Sequence, residues 1–106
     1  MESKAIIEVL RKFVNERDWE KFHTPSNLAK SISIESAELL ELFQWSEDAD
    51  VDRVRDELAD VLTYCLLMAN KLNLDPTSIV LEKLEKTAQK YPVEKSKGTS
   101  DKYDRL

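Results

Sequence analysis

Up to residue 97 this chain contains no glycine, and its three prolines stand at 25, 76 and 92. Strands and tight turns depend on glycine and proline as punctuation. A chain whose one glycine is Gly98 therefore has room for long helices and little for hairpins. Apolar residues recurring at three and four, Ala5, Ile6, Val9, Leu10, Phe13 and Val14, predict a first helix from residue 3 to about 21. Thr24 ahead of Pro25 is a capping hydroxyl followed by proline at the first helical position, so a second helix opens there and is expected to reach Trp45. Ser46 to Asp50 form an acidic turn, and a third helix follows from about Asp50 to Leu72. From Val61 onward that helix is apolar on nearly all sides, as expected of one lying centrally in a bundle or across a subunit interface. Asp75 and Pro76 open a fourth helix, with Ile79, Val80, Leu84 and Ala88 expected inward, ending at Tyr91 before Pro92.

The expected fold is all-α, a four-helix bundle-type protomer in one domain, residues 1–92, followed by a polar and mobile tail, residues 93–106. A chain of 106 residues has a thin core when alone. Dimerisation or tetramerisation is the expected way of completing it.

The second and third helices each carry a pair of acids three residues apart: Glu35 and Glu38 in SISIESAELLELFQW, and Glu57 and Asp60 in DELAD. At about 100° per residue each pair lies on one face of its helix. Carboxylates at close quarters resist joint ionisation, and each costs several kcal/mol to remove from water unless a positive partner compensates. A hard divalent cation is the natural partner, Mg²⁺ above all with Mn²⁺ as a substitute, because it takes oxygen ligands and keeps waters for a phosphate or a nucleophile. Acids at this spacing also occur on plain solvated faces, but Asn27, Ser31, Leu42 and Trp45 share the side of Glu35 and make a less polar setting. Arg53 and Lys71 share the side of Glu57, as cations near the acids or as members of ordinary helix ion pairs.

Other chemistries are narrowed by what the chain lacks. A net charge of −5 argues against a nucleic-acid surface. His23 is the single histidine, so neither a pair of Glu-x-x-His di-iron units nor a nucleophile with a histidine base is expected, and its ordinary role is that of a loop residue bonded to nearby backbone. Cys65, alone in an apolar run, reads as a small core residue. The absence of a glycine-rich loop before residue 98 leaves phosphate to be held by metal and side chains. No apolar run is long enough to span a membrane, which makes the cytoplasm the expected compartment.

RDWEKFHTPSNLAKSISIESAELLELFQW, DELADVLTYCLLMA and KLEKTAQKYP together resemble the MazG-like nucleoside triphosphate pyrophosphohydrolases, in particular their small single-domain branch that includes dCTP pyrophosphatases. The resemblance covers residues from about 16 to 92. It implies an all-α dimer or tetramer that uses Mg²⁺ to hydrolyse (deoxy)nucleoside triphosphates to monophosphate and pyrophosphate, with dCTP-like substrates favoured. It further implies that Glu35, Glu38, Glu57 and Asp60 are metal ligands, with Glu38 or Glu35 also serving catalysis. Trp19, Trp45 and Tyr64 become contacts for the base, His23 and Asn27 further substrate contacts, and Lys90 a phosphate contact with Lys83 behind it. Many members carry a second acid where Ile34 stands and an asparagine where Thr87 stands. The alternative from another class is a non-catalytic helical oligomer, an interaction or antitoxin-like module whose acid pairs merely solubilise a face.

Overall fold

A computed structural model describes residues 2–106; Met1, the first residue of the expected domain, lies outside them. Every regular element among the described residues is helical: α1 (Glu2–Glu16), a 3₁₀ turn (Glu20–Phe22), α2 (Pro25–Glu41), α3 (Val51–Lys71), α4 (Pro76–Lys90), α5 (Val93–Ser96) and a second 3₁₀ turn (Tyr103–Arg105). None of these helices is long and apolar enough to cross a membrane. The chain divides into two compact units, residues 1–75 and 76–106.

Helix starts follow local hydrogen bonding. The Thr24 hydroxyl accepts from the Asn27 N–H at 3.1 Å with Pro25 in the first helical position, as the sequence predicts. The Asp50 carboxylate accepts from the Asp52 N–H at 3.1 Å and opens α3.

Helix ends differ from the sequence reading. α1 stops at Glu16, not near residue 21, because Asp18 turns left-handed at φ 55°. The Trp19 N–H then donates to the Val14 carbonyl and the Asp18 N–H to the Asn15 carbonyl, both at 3.1 Å, which is the Schellman closure. Asn73, at φ 57°, closes α3 the same way: the Leu74 N–H reaches the Ala69 carbonyl at 2.8 Å and the Asn73 N–H the Asn70 carbonyl at 3.1 Å. Asp and Asn tolerate this conformation better than other side chains do, so no glycine is needed. α2 ends at Glu41, short of Trp45, as the N–H groups of Leu42, Phe43 and Gln44 shift to carbonyls three residues back.

Within the first unit α3 is the central helix, packed mainly along α2 and also against α1. Val14, Leu28 and Leu67, one residue from each helix, form the buried core, with Leu10, Tyr64 and Met68 against it. Leu28 alone among the described residues is fully buried, so the core is indeed thin. Much of α3 and its cap stays uncovered: Leu58 and Leu62 are 44% and 53% exposed, the capping Leu72 is 46% exposed, and Cys65 is exposed as well, contrary to its reading as a core residue. An all-round apolar helix cannot bury every side against two neighbours.

In the second unit α4 buries none of its residues; Ile79, Val80, Leu84 and Ala88, expected inward, are exposed. The Thr87 hydroxyl donates to the Lys83 carbonyl of its own helix at 3.0 Å. The polar segment after Pro92 takes local order: Gly98 turns the chain at φ 84°, and Tyr103 meets Tyr91 edge-on at 6.1 Å between ring centres.

Candidate functional site

α2 and α3 pack so that later residues of one face earlier residues of the other, the register of an antiparallel hairpin. Glu38 meets Glu57, while Trp45, beyond the end of α2, shares a hollow with Arg53 in the first turn of α3. This register turns the two acid pairs toward each other. One carboxylate oxygen from each of Glu35, Glu57 and Asp60 lies within 4.8 Å of the others, and the Glu38 carboxyl group lies close enough to Glu35 and Glu57 to act on the ionisation of both.

The electrostatics follow from the crowding. The hydrogen bond shared with Glu38 is the largest cause that raises Glu35, followed by burial and by the charges of Glu38, Asp60 and Glu57, which together lift its pKa from 4.5 to about 7. Glu57 is also raised, first by desolvation and then by the charge and hydrogen bond of Glu38 and the charges of Asp60 and Asp56. Glu35 Oε2 and Glu57 Oε2 are shut away from water without any hydrogen-bond donor. A buried carboxylate oxygen with no donor is costly, and a bound cation removes that cost together with the mutual repulsion. The donor set is oxygen only, the kind that hard divalent ions take. These residues therefore fit a divalent cation.

Two depressions flank the acid cup. On one side Asp60 joins Phe13, Trp19, His23, Thr63 and Tyr64 around a cleft of about 310 Å³, within the size range of small-ligand sites. On the other, Glu38 and Glu57 join Gln44, Trp45 and Arg53 around a more open hollow of about 580 Å³. Trp19 reaches the first cleft because the left-handed Asp18 redirects the chain there. Its ring packs edge-on against Phe13 at 5.9 Å, and the Arg17 guanidinium covers the Phe13 ring at 3.7 Å.

The aromatics expected at a base thus separate: Trp19 and Tyr64 share the first cleft with His23, whereas Trp45, 89% exposed, lies in the second. The His23 N–H donates to the Glu20 carbonyl at 3.0 Å, as expected of a loop residue, but its half-buried side chain also lines the first cleft. Asn27 lines neither; its side-chain amide donates to the Phe22 carbonyl at 2.9 Å and secures the start of α2. Lys90 belongs to the second unit, where its ammonium sits 4.9 Å above the Tyr103 ring. Phe13 and Thr63 are cleft residues that the sequence hid. Phe13 merges into the apolar stripe of α1, and Thr63 looks like a break in the apolar run of α3, its hydroxyl donating to the Ala59 carbonyl at 2.8 Å.

Residues 30–106 match the model of the MazG-like family. The chain is 38% identical over 105 residues to dCTP pyrophosphatase 1 of Rattus norvegicus, covering 90% of this chain and 62% of that protein. It is 35% identical over 118 residues to dCTP pyrophosphatase 1 of Bos taurus, covering 98% of this chain and 70% of that protein. A pyrophosphatase from Archaeoglobus fulgidus DSM 4304, known from a crystal structure, matches the fold with a TM-score of 0.79 at 42% identity over 87% of this chain and 94% of that one. The chain therefore spans about 62% of the length of the rat relative.

Proposed function

The chain belongs to the MazG-like family, and from that premise we propose that it hydrolyses (deoxy)nucleoside triphosphates, dCTP-like substrates first, to the monophosphate and pyrophosphate. The observation that carries this reading is the inward-turned acid cup between an aromatic cleft and a hollow whose lining includes the Arg53 side chain. A merely solvated face would leave Oε2 of Glu35 and Oε2 of Glu57 in water, where they are not. This disfavours the non-catalytic alternative.

Glu35, Glu38, Glu57 and Asp60 would hold Mg²⁺, or Mn²⁺ in its place. When bound, the ion offsets the charge of the triphosphate and acidifies water. Trp19 and Tyr64 would grip the base, each stack contributing about 1 to 3 kcal/mol, and His23 would offer the cleft a polar edge. In the reaction a water oxygen bonds to the α-phosphorus while the bridging oxygen leaves with pyrophosphate. We assign the proton of that water to Glu38. This carboxylate is exposed to solvent beside Glu35 and Glu57, so it can take up a proton and release it to bulk water. Stacking tolerates any base, so the preference for dCTP rests on the likeness to the rat and bovine relatives. The exposed stripe of Leu58, Leu62, Cys65 and Leu72 along α3 and its cap supports a homodimer or tetramer. A cytoplasmic location completes the proposal.

The test is pyrophosphate release from a mixture of dNTPs with Mg²⁺, set against the same mixture with EDTA. Release that EDTA abolishes is expected. No release from any dNTP or NTP overturns the proposal.

A further inference from the structure

Arg53, Glu57, Asp60 and Tyr64 fall within about 60° of one another around α3 and span about 16 Å along its axis. One ridge of this helix therefore presents a guanidinium, then the acids of the cup, then an aromatic ring. Among the described residues Arg53 is the one cation lining the hollow, beside the acids Glu38, Glu41 and Glu57. Glu57 stands four residues on, the usual spacing for a helix ion pair. Yet the ion pairs among the described residues are Arg11–Glu8, Arg17–Glu16 and Lys21–Asp18, and Arg53 is in none of them. Its donors are uncommitted and sit in the first turn of α3, the positive end of that helix. A planar fork of N–H donors matches phosphate oxygens two at a time. Four carboxylates and a triphosphate also bring together more negative charge than one divalent ion cancels, so a fixed cation at this edge has electrostatic work to do.

We propose that Arg53 binds the terminal phosphates of the substrate, the pair that leaves as pyrophosphate, and thereby selects triphosphates over monophosphates. This rests on the hydrolase reading above and adds a direction to it. The base lies toward Trp19 and Tyr64, the reacting α-phosphate over the cup, and the β- and γ-phosphates in the hollow toward Trp45.

The test compares Arg53→Gln and Arg53→Lys with wild type. Arg53→Gln is expected to raise KM for dNTPs about tenfold, and to weaken by a similar factor both inhibition by pyrophosphate and calorimetric binding of an α,β-imido dNTP. Inhibition by the deoxynucleoside monophosphate should stay unchanged, since that product lacks the groups Arg53 holds. Arg53→Lys, which keeps the charge and loses the fork, should fall between. The melting temperature should not move, as no contact within the chain is removed. If wild type hydrolyses dNTPs while Arg53→Gln keeps wild-type KM and pyrophosphate inhibition, the assignment of Arg53 is overturned alone. Equal weakening of monophosphate and pyrophosphate also overturns it, since that marks general charge loss. A wild type that releases no pyrophosphate overturns the hydrolase reading, and Arg53 with it.

Discussion

Replacing Glu35 by Gln in metal-free protein should stabilise the fold at alkaline pH and leave it unchanged in acid. The folded-state pKa of Glu35 is about 7 against 4.5 in an ordinary setting, so the folded chain holds this proton more tightly than the unfolded chain does. For a group raised in this way, the linked stability is fully present below pH 4.5 and is lost as pH rises through about 7. The rise in pKa corresponds to about 3 kcal/mol of unfavourable ionisation. Solvent at the mouth of the cup, where Glu38 and Asp60 are exposed, screens this to ~1 to 2 kcal/mol. Glutamine keeps the shape and donates an N–H to Glu38 without a charge. Thermal unfolding in EDTA should then show wild type losing on the order of 5 to 10 °C between pH 5 and pH 8 relative to Glu35→Gln. Equal pH dependence in the two proteins would refute the account of the cup.

Mg²⁺ should raise the melting temperature of wild type at pH 8 and hardly at pH 5, because ligands must shed protons to bind; equal shifts at both pH values would count against the cup as the metal site. Glu38→Gln should keep the fold and lose most Mg²⁺-dependent pyrophosphate release, and near-native turnover would remove Glu38 from the chemistry. Trp19→Ala should raise KM for dNTPs about tenfold with Mg²⁺ affinity nearly unchanged. Loss of kcat at constant KM would put the base elsewhere. Light scattering should return a multiple of the 12.3 kDa chain mass, and a stable monomer at micromolar concentration would exclude the oligomer.

Much of the first unit was legible in the chain because its signals are local. Thr24 with Pro25 marks the start of α2 through bonds made within one turn, and the spacing of three puts each acid pair on one side of its own helix without reference to any other element. Helix ends were less legible, since Asp18 and Asn73 close α1 and α3 in a left-handed conformation that their residue types permit but do not announce. What only the tertiary structure decided was which faces meet. The hairpin register of α2 on α3 sets Glu38 against Glu57, deprives Glu35 Oε2 and Glu57 Oε2 of water, and divides Trp19 and Tyr64 from Trp45. The same packing leaves Cys65 and Leu62 uncovered in a run that reads as interior. Periodicity is a property of one helix about its own axis, whereas register and burial depend on how Leu28, Val14 and Leu67 fit together across three helices, a long-range packing relation that no local spacing encodes.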